Sequence, residues 1–103
     1  MADSILNIVF FFGDQHRSDC LGCYGNEIVR TPVLDRLCET GTRFTRAVSP
    51  SPICTPARAC VQTGLYAHQH GLQFNPEFAR QLGGKMNVNE DATFFAQRLR
   101  DAG

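Results

Sequence analysis

Ile5-Leu6-Asn7-Ile8-Val9-Phe10-Phe11-Phe12-Gly13-Asp14-Gln15 is the stretch that decides the fold class. Only Asn7 interrupts the apolar run from Ile5 to Phe12. A run of that kind is expected for a strand buried on both faces in a parallel sheet. Gly13-Asp14-Gln15 then falls at its carboxyl end, the edge where ligands gather in open α/β sheets. Asp14 is therefore well placed for metal binding, because hard cations such as Ca²⁺ or Mg²⁺ take carboxylate and amide oxygens. A plain strand-end cap or turn residue is the alternative for Asp14. His16 and Arg17 either face the same site or are solvated loop residues.

A second chemistry-bearing stretch lies further along, Cys54-Thr55-Pro56-Ala57-Arg58. Proline suits the first position of a helix, so the spacing predicts Pro56 at N1, Thr55 as N-cap and Cys54 just before the helix. Cys60, Val61 and Gly64 continue the pattern, with Gly64 closing a helix of about two turns. The helix start offers free N–H groups and a positive dipole end to an anion. Arg58, expected at N3, leans back toward Cys54, and its planar fork of donors suits a tetrahedral oxyanion such as sulfate or phosphate. The bland alternative is a small buried thiol and a solvated arginine.

The remaining chain reads mainly as scaffold. Thr31-Pro32 predicts another helix start, and Leu34, Leu37, Cys38 and Gly41 follow at helical spacing, with Gly41 as terminator. Arg43 to Val48 reads as a short strand, and residues 65 to 90 as loop. Ala92, Phe95, Ala96, Leu99 and Ala102 predict a helix that stops at Gly103. His68 and His70 are read as structural.

The 103 residues carry 10 basic and 10 acidic side chains, so nothing in the net charge favours nucleic acid or an anionic membrane. No stretch is long enough to span a bilayer. The apolar run near residue 8 lacks a basic leader and a convincing cleavage site, which places the chain in the cytoplasm. Five cysteines, an odd number, fit free thiols in a reducing compartment. Cys20-Leu21-Gly22-Cys23 has the spacing of a zinc or redox pair, but no second pair completes a zinc site, and loop packing is the simpler reading.

Taken in order, Asn7 to Gln15, Leu21-Gly22-Cys23-Tyr24-Gly25-Asn26, Thr31-Pro32-Val33-Leu34-Asp35-Arg36-Leu37, Gly41-Thr42-Arg43-Phe44, and Cys54 to Arg58 with Thr63-Gly64 resemble the N-terminal part of a type I sulfatase. Tyr66-Ala67-His68-Gln69-His70-Gly71 resembles the segment after the nucleophile helix in that family. The resemblance implies an alkaline-phosphatase-like fold, with residues 1–103 forming the N-terminal part of a single catalytic domain and the central sheet incomplete in this chain. It implies that Cys54 is oxidised to formylglycine by a formylglycine-generating or anaerobic sulfatase-maturing enzyme. One hydroxyl of the hydrated aldehyde then attacks sulfur, and the other drives release of sulfate, dividing one hard displacement into two steps.

The resemblance further implies a catalytic role for Arg58. It also implies a divalent metal beside Asp14, Gln15 and Cys54, with Ca²⁺ expected and Mg²⁺ or Mn²⁺ as alternatives. The substrate would be a sulfated small molecule or carbohydrate. The family's remaining metal ligands, and the lysines and histidine that contact sulfate, lie beyond the positions matched here, so this piece alone is expected to be inactive. Many sulfatases carry Asp where this chain has Gln15, which keeps a phosphonate monoester or phosphodiester hydrolase of the same superfamily open. A non-catalytic thiol or metal-binding protein using Cys20 and Cys23 is the third reading.

Overall fold

The structure, a computed structural model, describes residues 7–103. It divides into two compact units, with the boundary between Arg43 and Phe44.

In the first unit, residues 7–12 carry no hydrogen-bonded ladder, and no β-strand occurs among the described residues. Ile5 and Leu6 of the expected strand lie outside them. Phe10 and Phe12 stack at 5.8 Å, as residues two apart on an extended backbone do. The face that carries Val9 and Phe11 is bare, with the two 91 % and 84 % exposed. A strand exists only through its neighbours, and no strand occurs beside this segment among the described residues. The second expected strand, residues 43–48, is interrupted by a turn at Thr45 and Arg46.

Two 3₁₀ turns come next, Ser18–Cys20 and Gly22–Tyr24, before helix α1, Pro32–Thr40. Pro32 opens α1 and Gly41 closes it, its N–H donating to the Leu37 carbonyl at 2.9 Å, as the sequence pattern requires. Thr31 does not cap the helix with its side chain. Its hydroxyl accepts the Gly22 N–H at 2.9 Å and donates to Asp35 Oδ1 at 3.0 Å. Asp35 Oδ1 also accepts the Cys23 N–H at 2.7 Å. Thr31 and Asp35 thus hold the second 3₁₀ turn against α1, and a Cβ on Gly22 would stand 2.6 Å from Asp35 Oδ2.

The second unit is helical: α2, Cys54–Thr63; α3, Ala67–His70; α4, Pro76–Leu82; and α5, Phe95–Ala102. α3 and α4 fall in the region expected to be loop. Both carry local signals. Gln69 reaches back to accept the Tyr66 N–H at 2.9 Å, the returning half of a capping box. Asn75-Pro76 with Gly83 repeats the start and stop pattern that marked α1. α2 packs on α3 and on α5. The shielded side chains are Ser51, Pro56, Ala59, Cys60, His70, Leu72 and Ala79, a small core centred on α2.

Candidate functional site

Cys54 is exposed, and it is the first residue of α2, not the residue before it. Ile53 is the N-cap, with extended backbone at φ −107°, ψ 137°. The expected phase is therefore off by two, and Pro56 sits at N3. Proline is accommodated there because none of the first three N–H groups of a helix has a partner inside it. The first intrahelical bond is Ala57 N–H to the Ile53 carbonyl, 2.9 Å. Gly64 ends the helix at φ 70°, its N–H donating to the Cys60 carbonyl at 2.8 Å.

This phase changes what the helix end presents. Thr55 N–H donates to Asn75 Oδ1 at 3.1 Å, and Pro56 has no N–H to offer. The helix start thus shows an anion fewer free donors than the sequence pattern suggested. Arg58 becomes N5, four residues after Cys54, and is exposed. Residues four apart share a helix face, so Arg58 lies on the same face of α2 as Cys54, one turn on.

Asp14 and Gln15 belong to the first unit, on the exposed loop after residue 12. Gln15 has φ 52°, the only non-glycine in the left-handed region among the described residues. For an L-residue other than Asn or Asp that conformation costs about 1–2 kcal/mol, a kind of strain that clusters at functional sites. The two side chains supply oxygen donors of the chemistry a hard cation takes, but Ca²⁺ needs six to eight. Among the described residues no group of three or more His, Cys, Asp or Glu side chains could hold a metal.

His16 packs against Gly13, where an added Cβ would lie 3.0 Å from the His16 Cβ. Arg17 is engaged by Asp19, to which its Nε donates at 2.9 Å. That bond holds the Asp19 carboxyl below the usual carboxylate range and raises Arg17 in turn.

Of the two histidines after α2, His70 is fully buried. Its Nε2 lies 3.3 Å from Cys60 Sγ, and its Nδ1 accepts the Leu72 N–H at 3.1 Å. His68 is exposed and stacks on Tyr66, ring centres 5.8 Å apart. Cys23 meets Cys38, not Cys20, across 3.2 Å.

Residues 6–103 match the family model described as Sulfatase. The chain is 36 % identical over 100 residues to human arylsulfatase D and 35 % identical over 102 residues to human steryl-sulfatase. It is 31 % identical over 97 residues to N-acetylglucosamine-6-O-sulfatase of Bacteroides thetaiotaomicron. Each match covers 94 % of this chain but only 16–17 % of the relative's length. No solved structure matches it. An exposed cysteine opening a helix, with arginine one turn on, thus stands in a chain that belongs to the sulfatase family.

Proposed function

We propose that the protein carrying this chain hydrolyses a sulfate monoester, with Cys54 as the precursor of a formylglycine nucleophile. The observation that carries this reading is the exposure of Cys54 at the first position of α2, with Arg58 one turn behind it. An exposed side chain at a helix start is open both to a modifying enzyme and to substrate. Formylglycine, once made, supplies a hydrated aldehyde whose two hydroxyls serve attack and release.

The chain's own residues do the rest. Arg58 binds the anionic ester through its planar fork and stabilises charge that grows in the transition state. Pro56 and the Thr55–Asn75 hydrogen bond fix the start of α2, so that residue 54 is held at a defined orientation. Asp14 and Gln15 would contribute oxygen donors to a divalent cation, Ca²⁺ in the leading reading, which would supply Lewis-acid polarisation of the ester oxygens. The strained backbone of Gln15 supports that assignment.

The bare apolar run through Val9 and Phe11 fits the first strand of a mostly parallel sheet in an alkaline-phosphatase-like domain of which this chain is the N-terminal part. A sulfated carbohydrate or other sulfated small molecule is the substrate class, and a sulfatase-maturing enzyme the partner. Two oxygen donors leave the metal shell short, so the 103 residues alone would be inactive.

Gln15 favours a second reading, a phosphonate monoester or phosphodiester hydrolase, because a neutral amide in place of a carboxylate removes one negative charge beside the substrate. Comparing kcat/KM for an aryl sulfate and a phenyl phosphonate ester on the full-length, converted protein separates the two. Preference for the sulfate supports the first reading, and strong preference for the phosphonate rejects it.

A further inference from the structure

The Cys-x-x-Cys spacing draws attention to Cys20 and Cys23, but the fold pairs different sulfurs. Cys20 directs its thiol toward Asp19 Oδ1, 3.9 Å away. Cys23 instead faces Cys38, fifteen residues on, the two Sγ atoms sharing a hydrogen bond at 3.2 Å. A disulfide bond is about 2.05 Å long, so a shift of about an ångström joins them.

The two sulfurs are held in place by the surrounding hydrogen bonds. Gly22 and Cys23 donate their N–H groups to Thr31 and Asp35, at the start of the helix that carries Cys38. Cys38 lies one turn after Leu34 and Asp35, on the half-buried face of α1. Both thiols are half-buried, open to a small molecule but away from bulk solvent.

We propose that Cys23 and Cys38 are a reversible disulfide site, closed by thiol–disulfide exchange with a low-molecular-weight disulfide such as oxidised glutathione. A thiolate of the pair attacks the small disulfide, forming a mixed disulfide and expelling one small thiolate. The second protein sulfur then attacks the first, forming the Cys23–Cys38 bond and expelling the second small thiolate. The two protons lost by the cysteines end on the two small thiols. The protein pair is oxidised by two electrons and the small disulfide is reduced by two. The closed form ties the second 3₁₀ turn covalently to α1 and leaves Cys20 and Cys60 as thiols.

The Cys23 thiol is pushed up to about 11, first by its hydrogen bond to Cys38 and then by burial. At neutral pH Cys23 is therefore protonated, and the bridge forms more readily as pH rises.

The test is a non-reducing tryptic map of the full-length protein after equilibration with oxidised and reduced glutathione. Cleavage after Arg17, Arg30, Arg36 and Arg43 places Cys23 in peptide 18–30 and Cys38 in peptide 37–43. The expected result is a cross-linked 18–30/37–43 pair lighter by two hydrogens, about 2 Da, than the separate thiol peptides. It persists in Cys20→Ser, disappears in Cys38→Ser, and loses its preference when the protein is equilibrated in urea. A bridge within peptide 18–30 as the main product would overturn the proposal. So would stable glutathione adducts on Cys23 or Cys38 without cross-link, or an equal cross-link yield in urea.

Discussion

Thr55 and Asn75 are twenty residues apart, yet the N–H of one donates to the side-chain oxygen of the other at 3.1 Å. The bond ties the start of α2, beside Cys54, to the residue that begins α4. It satisfies a helix-end donor that the helix cannot satisfy itself.

Replacing Asn75 with Ala leaves that donor without its partner, and loss of a helix-end cap costs about 1 kcal/mol. Asn75→Asp keeps an acceptor and most of the stability. Urea midpoints of the two variants measure the difference. Because the bond borders residue 54, Asn75→Ala should also lower kcat more than it raises KM.

His70→Ala empties a fully buried site and strands the Leu72 N–H. Cavity formation and an unsatisfied buried donor together predict a loss of about 3 kcal/mol or more. Thermal unfolding checks this. His68→Ala, at an exposed ring, should stay within about 0.5 kcal/mol of the parent.

The start and stop residues of α1 were readable in Thr31-Pro32 and Gly41 because that helix uses the commonest geometry. α2 carries a similar Thr-Pro pair two residues later in its frame. The three unpaired N–H positions at any helix start tolerate proline equally in hydrogen-bond terms, so the pair alone cannot set the phase; the extended backbone of Ile53 does. α4 falls within residues 65–90, which read as loop, although Asn75-Pro76 and Gly83 carry its start and stop signals; α3 is a single turn held by Gln69, too short for periodicity to register. The run at residues 5–12 announces a strand, but a strand needs partners that no local pattern supplies, and no strand occurs among the described residues. Cys54 and Arg58 were legible because one helix carries both. The Cys23–Cys38 contact was not, since it depends on Asp35 bringing a turn onto a helix.

Cys23 also gives a pH dependence. Its thiol is raised to about 11, so the folded chain holds that proton more tightly than the unfolded chain, where a thiol titrates near 8.5. The contribution is complete below about 8.5 and is lost as pH rises toward about 11. Urea midpoints of the reduced protein should fall across that window, and Cys23→Ser should flatten the fall relative to the parent.

Arg58→Ala should lower kcat/KM for an aryl sulfate by about 10²–10³-fold, the scale for loss of one donor to developing oxyanion charge. Arg58→Lys should recover part of the loss, because it restores charge but not the planar fork. Steady-state kinetics on the full-length, converted enzyme reads both. A loss below about threefold would remove Arg58 from the site.

The chemistry proposed at α2 rests on Cys54 as the precursor of the nucleophile. Its decisive measurement is mass spectrometry of the peptide containing residue 54, from full-length protein co-expressed with a sulfatase-maturing enzyme. The expected residue is lighter than cysteine by about 18 Da, the change from thiol to aldehyde, with Cys60 in the same preparation unchanged. A Cys54 that remains a thiol, under conditions where a known substrate of the same maturing enzyme is converted, would contradict it.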